Sequence, residues 1–299
     1  MPEIRRHVAV LVNPVAGRGA GEAQGLAAVA RLRERGVEAR DYEGTDAADT
    51  VRLAAKAIEA EPDVLAVVGG EGTLASVLLP VLESGVALAL LGGGTGNDLA
   101  RAHGIPADPV GAADVILDGR RRRVDTGTIT ADDGTVRHFL TIVCAGFDSR
   151  VAERTNRMTW PRGAARYVVA KYLEAIGLRT FDYVLLTDGD RLERPGHLVA
   201  VGLTPYYGGG TPICPDADPA DGLLDVTLVG PTGRRGLVTL DPLIQKGQHL
   251  SHPLVTSARA ASVRLEAPAG LVAYADGERV GPLPLTVAAH RERLTLCVP

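Results

Sequence analysis

The chain is 299 residues long, room for two domains of ordinary size, and its 45% hydrophobic and 23% charged residues exclude a disordered or fibrous protein. A formal net charge of -4, from 32 basic against 36 acidic side chains, argues against a general nucleic-acid binder. Three widely spaced cysteines, Cys144, Cys214 and Cys297, form neither a disulfide framework nor a close-spaced zinc motif, which points to a reducing cytoplasm.

With 3 Phe, 1 Trp and 7 Tyr, the core must be built from Val, Leu, Ile and Ala. Only Lys56, Lys171 and Lys246 among the basic residues are lysines, a skew that fits genomic base composition better than function. The apolar run before Asn13-Pro14 is five residues, too short for a signal peptide, and the longest elsewhere, residues 86–91, is far below a bilayer span. The expectation is a protein that neither spans a membrane nor is exported, with peripheral membrane contact left open.

The first half alternates strand and helix. Residues 7–12 read as a Val-rich strand, followed by the glycine turn 17–21 and a helix over 22–35 with Leu26, Val29, Ala30 and Leu32 at helical spacing. Gly36 closes that helix, and 37–42 form a second strand. Thr45-Asp46 supplies N-cap chemistry for a helix to about residue 60. A buried-type strand at 64–68, a loop at 69–73 and a helix at 74–82 follow. Then come a strand at 86–91, a loop at 92–96 and a helix opened by Asn97-Asp98. This alternation predicts a parallel sheet with helices on both faces.

The second half is β-rich, with runs at 136–145, 183–187, 197–204, 223–229, 261–267 and 271–275 broken by turns at Asp188-Gly189, Asp221-Gly222 and Asp276-Gly277. One helix is expected to interrupt it, from Pro161 to residue 176. The composition predicts a mostly antiparallel domain with its boundary near Val124.

The three glycine turns follow predicted parallel strands, so all emerge at the carboxyl edge of one sheet, where open α/β sheets bind ligands. Glycines let backbone N–H groups approach an anion, and each following helix N-terminus adds a favourable dipole. Gly17-x-Gly19 lacks the third glycine of a dinucleotide fingerprint, no GxxxxGK[ST] occurs, and no lysine lies beside these loops. The pattern points to phosphate without the common nucleotide motifs. Any one of the loops alone could be an ordinary tight turn.

Several segments together resemble the diacylglycerol kinase catalytic domain, a family that groups bacterial lipid kinases with sphingosine and ceramide kinases. They are Asn13-Pro14 through Gly17, Gly69-Gly70-Glu71-Gly72-Thr73, and Gly92 through Gly94-Thr95-Gly96-Asn97-Asp98. Further on come Ala145-Gly146-Phe147-Asp148, Tyr207-Gly208-Gly209-Gly210, Pro215-Asp216-Ala217 with Asp221-Gly222-x-x-Asp225, and Asp276-Gly277-Glu278. The Gly-Gly-acid-Gly-Thr loop alone would also suit the related NAD kinases.

The resemblance implies a Rossmann-like parallel α/β domain at 1–124, to which residues 286–299 return, and an antiparallel β-sandwich at 125–285 that takes the acceptor, with an ATP cleft between them. It implies ATP phosphates near Asn13, Pro14, Gly17, Gly70, Glu71, Gly72, Thr73, Thr95, Asn97 and Asp98, with Thr45 beside the nucleotide. It implies a structural Mg²⁺ at Asp221 with the carbonyls of Asp218 and Leu223. An acid at Asp276 or Glu278 would accept the proton of the attacking hydroxyl. From the residues alone, turn-forming Asp around Gly222 is the second reading of Asp218, Asp221 and Asp225, and a two-residue hairpin turn is the first reading of Asp276-Gly277. Phosphoryl transfer needs positioning and charge neutralisation, and Mg²⁺ takes one or two carboxylates with water and phosphate, so no dense ligand cage is expected.

The chain departs from the family pattern at Glu71, where Asp is usual, and at Ser76, where Glu is usual. Seven basic residues, Arg150, Arg154, Arg157, Arg162, Arg166, Lys171 and Arg179, read first as a solvated helix face without an aromatic belt. Contact with anionic headgroups at the inner membrane face is the second reading of that stretch. Arg120 to Arg123 read as a surface turn. The leading function is an ATP- and Mg²⁺-dependent kinase of a lipid hydroxyl such as that of diacylglycerol, cytoplasmic, with homodimerisation open. The alternatives are a kinase of a soluble or specialised-metabolite alcohol, and a weakly active nucleotide- or lipid-binding homologue.

Overall fold

The first four strands share one sheet; three are runs rich in Val, Leu and Ala buried at nearly every residue, while the edge strand Glu38–Glu43 is largely exposed. They are β1 (His7–Val12), β2 (Glu38–Glu43), β3 (Val64–Gly69) and β4 (Ala87–Gly93). These belong to a computed structural model that describes residues 7–14, 16, 21–94, 96–161 and 164–299. The helices between them are α1 (Gly21–Glu34), α2 (Ala47–Glu59), α3 (Glu71–Ser84), α4 (Asp98–Ala102) and α5 (Pro109–Asp118). The strands are parallel in the order β2-β1-β3-β4. α1 packs with α5 and α2 with α3.

Local signals set these ends. Asp46 caps α2 by accepting the Asp49 N–H, and Gly36 ends α1 with φ +80°. Helix α3 departs from expectation: it starts at Glu71, inside the predicted glycine loop, with Gly70 as its N-cap. α5 was not anticipated from sequence; Asp108 caps it, and Arg31 on α1 holds its Asp114 with a two-point ion pair.

One compact unit comprises the chain up to Asp125 with residues 208–210 and 291–299; a second comprises residues 126–207 and 211–290. Strand β5 (Arg120–Ala131) begins with the four arginines, which are the exposed start of a strand and not a turn. The second unit continues with β6 (Val136–Phe139), β7 (Ile142–Gly146), α6 (Phe147–Arg157) and α7 (Ala164–Ile176). β8 (Phe181–Leu186), β9 (Arg191–Gly196), β10 (Leu198–Gly202), β11 (Tyr206–Tyr207) and β12 (Thr211–Pro212) follow. Next come β13 (Leu224–Val229), α8 (Arg234–Gln245), β14 (Val255–Ala260) and β15 (Ser262–Glu266). β16 (Val272–Ala275), β17 (Glu278–Pro282) and β18 (Leu285–Val298) complete the order. The expected single helix is thus α7 alone, and α6 and α8 are additional.

In the second unit β15 pairs antiparallel with the start of β18 and with β8, and β8 with β9. A second antiparallel sheet runs β14-β13-β10-β7-β16-β17. One apolar core combines residues of both sheets, including Phe139, Tyr183, Leu185, Val201, Val226 and Leu265. The other face of the second sheet packs Leu198 and Ala200 with Phe147, Val151, Ala170 and Leu240 from the helices. β10 is therefore buried at every residue. The end of β18 returns to the first unit, where Leu296 pairs in parallel with Leu88.

Candidate active site

The strand order reverses direction between β1 and β3, since β1 leads outward to β2 and the chain then crosses back to β3. The carboxyl ends of those two strands flank the crevice where open parallel sheets bind ligands. The Asn13 N–H donates to Val68 O at 3.0 Å, and its amide Nδ2 donates to Thr73 Oγ1 at 2.9 Å. The two loops are therefore tied to each other by one side chain.

Gly70 is an N-cap with no side chain, so it makes no side-chain cap at the start of α3, a helix end whose N–H groups and dipole favour an anion. Gly94, from the loop after β4, lies against it: a Cβ added at Gly94 would stand 3.0 Å from Gly70 Cα and 2.8 Å from Asn97 Oδ1. The backbone of the two turns approaches as only glycine allows. Asn97 caps α4 in the left-handed region, φ 54°, while its Oδ1 accepts the Gly94 N–H at 3.1 Å.

Two acids meet here. Glu71 Oε1 accepts the Asp98 N–H at 3.1 Å, and Asp98 Oδ2 accepts the Gly209 N–H at 2.9 Å. Asp98 is 1% exposed, and its Oδ1 has no hydrogen-bond partner; the Arg101 Nε stands 4.0 Å from it. Burial raises the Asp98 pKa, against the Gly209 N–H and the Arg101 charge, which lower it. A buried carboxylate oxygen without a hydrogen bond, beside a second carboxylate, fits a Mg²⁺ ion that takes one or two carboxylates together with phosphate oxygens.

Thr45 donates both its N–H and its hydroxyl to Asp49 Oδ2, at 3.1 and 3.4 Å, in the turn after β2. Ser76 donates to Thr73 O on α3 at 2.7 Å and so serves its own helix. Gly17 and Thr95 lie outside the described residues.

In the second unit Asp276 and Gly277 form the two-residue turn between β16 and β17, both with positive φ, +48° and +78°. The Asp276 side chain is buried: Oδ2 accepts the Leu140 N–H at 2.8 Å, and Oδ1 accepts the Thr141 N–H at 2.8 Å and the Thr141 hydroxyl. It clamps the β6–β7 connection. Glu278, the first residue of β17, is exposed.

Asp221, expected to hold a structural Mg²⁺ with the carbonyls of Asp218 and Leu223, has both carboxylate oxygens engaged within the chain. Asp221 Oδ1 accepts the Leu223 N–H at 2.9 Å, and Oδ2 is taken by the Arg259 guanidinium. Asp218 Oδ1 accepts the Ala220 N–H at 3.1 Å. Among the described residues no group of three or more His, Cys, Asp or Glu side chains is arranged to hold a metal ion.

Asp148, in the Gly-Phe-Asp segment, has no role that spacing or composition assigns. Tyr207 donates its hydroxyl to Asp148 Oδ2 at 2.7 Å, and burial pushes the carboxyl up to about 6.

Two family models match the chain. Residues 7–129 match the model of the diacylglycerol kinase catalytic domain. Residues 141–298 match the YegS C-terminal NAD kinase beta sandwich-like domain. A diacylglycerol kinase of Mycobacterium tuberculosis (strain H37Rv) is 39% identical over 293 residues, covering 96% of this chain and 94% of its own. The chain belongs to the diacylglycerol kinase catalytic-domain family. It is a lipid kinase by that membership. A diacylglycerol kinase of Staphylococcus epidermidis (strain RP62A) is 28% identical, covering 98% of this chain and 93% of its own. The crystal structure of a diacylglycerol kinase from Bacillus anthracis str. Sterne shares the fold, with TM-score 0.75 at 19% identity over 100% of this chain and 98% of that one.

Proposed function

We propose that this kinase transfers the γ-phosphoryl group of ATP to the hydroxyl of a lipid such as diacylglycerol, with Mg²⁺ accompanying the nucleotide. The observation that carries the reading is the paired turn at Gly70 and Gly94, with the unpartnered Asp98 oxygen beside Glu71, in a chain of this family. The N–H groups at the start of α3 would bind phosphate oxygens, and Glu71 with Asp98 would hold the cation. The cation's part is to neutralise charge on the transferring group. Glu278, exposed and next to the clamped turn, is the proposed acceptor of the hydroxyl proton, and Asp276 positions that turn. The test is transfer of label from γ-labelled ATP into an organic-extractable product across a panel of lipids. Label confined to water-soluble product across that panel would replace the lipid acceptor with a soluble alcohol.

Membrane contact belongs to the same proposal, with its chemistry revised. Arg150 and Arg154 both turn to the buried Glu174, Lys171 pairs with Asp241, and Arg166 donates to Met158 O. Arg162 lies outside the described residues. Arg157 and Arg179 are exposed, as are Trp160 at 79%, Tyr172 at 69% and Ile176 at 63%, with Val168 and Leu173. Exposed aromatic and apolar side chains accompany this basic stretch of the chain. An exposed Trp just before α7, with Tyr172 and Ile176 exposed on that helix and Arg on either side in sequence, would suit the interface of an anionic bilayer. No described helix is long and apolar enough to cross a membrane. The cytoplasm and its membrane face are the proposed location.

A further inference from the structure

The turn before β13 carries Asp216, Asp218 and Asp221, and Asp225 follows as the second residue of the strand, four acids within ten residues. Such a concentration of acid next to a buried strand calls for a cation. β13 and β14 pair with Asp225 directly opposite Arg259, so the sheet register itself delivers the guanidinium to the turn. Arg259 Nε lies 3.3 Å from Asp225 Oδ2, and its Nη2 bonds Asp221 Oδ2. The remaining Asp221 oxygen is held by the Leu223 N–H, which closes the turn onto the start of β13.

We infer that the guanidinium of Arg259 takes the place of a divalent cation at this turn, so that the second unit holds its acidic turn without bound Mg²⁺. The planar fork suits the task, since it presents several N–H donors to two carboxylates and stays charged at any working pH. Burial raises the Asp225 pKa, and the Arg259 charge is the largest influence that brings it back down. A divalent ion entering here would have to displace that guanidinium and would be repelled by it. Mg²⁺ dependence in this enzyme would then belong to the nucleotide step alone.

The test counts Mn²⁺ bound per chain by electron paramagnetic resonance without nucleotide, for the wild type, Asp221→Asn and Arg259→Ala. The wild type and Asp221→Asn are expected to bind the same number, because no ion depends on Asp221. Arg259→Ala is expected to bind one more, and its melting midpoint, lowered in chelator, should recover in millimolar Mg²⁺. Loss of one Mn²⁺ on Asp221→Asn would overturn the inference. So would an Arg259→Ala variant that folds and gains no ion. If Arg259→Ala does not fold, the wild-type and Asp221→Asn comparison decides alone.

Discussion

The Glu71 carboxylate accepts the backbone N–H of Asp98 at 3.1 Å, so the first residue of α3 caps the start of α4 across the two glycine turns. A shorter Asp side chain at position 71 would lose that reach by one methylene. Glu71 is in this sense fitted to its place, although it departs from the family's usual Asp.

Glu71→Asp is therefore expected to lower turnover, or at best to leave it unchanged, and Glu71→Ala should flatten the dependence of ATP use on Mg²⁺. Turnover measured against Mg²⁺ concentration for the three forms decides this. A rise in turnover for the Asp form would mark Glu71 as a damaged ligand, and an Ala form matching wild type would remove this carboxylate from the metal site.

Asp276 and Glu278 should separate cleanly. Asp276→Ala leaves the Leu140 and Thr141 N–H groups buried without their acceptor and is expected to cost about 2–4 kcal/mol of stability, read by denaturant unfolding. Glu278→Ala should leave stability nearly unchanged while turnover falls by about 10²–10⁴, with ATP affinity retained. Wild-type turnover in Glu278→Ala would exclude it as the base.

Asp148 gives a pH dependence. Its folded pKa, about 6, lies above the ordinary carboxylate value, so the folded state binds the proton more tightly than the unfolded chain. Stability from this group is full below pH ~4, falls as pH rises toward 6, and stays reduced above it. Asp148→Asn keeps an acceptor for the Tyr207 hydroxyl and should raise stability by about 2–3 kcal/mol at pH 8 relative to its effect at pH 4. Melting curves at the two pH values test the sign; an equal effect at both would show that Asp148 does not titrate in this range.

The face around α7 should govern partition to vesicles. Replacing Trp160 and Tyr172 with Ser is expected to weaken binding to anionic vesicles by about tenfold or more, with turnover on a short-chain, water-soluble acceptor unchanged. Sedimentation with phosphatidylglycerol vesicles reads this. Undiminished binding by the double variant would move the membrane contact elsewhere.

Much of the first unit was legible because its signals are local. Val-rich runs, Asp46, Gly36 and the glycine turns each act within a few residues of themselves. The start of α3 was missed because Gly-Glu-Gly-Thr has the composition of a loop while serving as the first turn of a helix. α6 escaped because only Phe147, Ser149 and Val151 are buried on an otherwise polar helix, and α8 because it contains Pro242. The Asp276–Gly277 turn was readable, but the clamp on Thr141 spans 135 residues and is set by sheet pairing. The same holds for Arg259 and Asp221, which only the β13–β14 register brings together. The aromatic face around Trp160 depended on which side of α7 the core claims, and there Ala170 and Glu174 are the buried residues.

Strand β18 gives the first unit a late partner. Leu88 waits for Leu296, 208 positions further along, before the edge of β4 is paired. At a synthesis rate of about 5–20 residues per second, that edge stays open for roughly 10–40 s on the ribosome. An unpaired hydrophobic strand is a template for pairing with another chain, so the nascent protein passes through an interval of vulnerability that its finished form conceals. Slowed translation across the second half of the message should lengthen that interval and increase aggregation without changing a single residue.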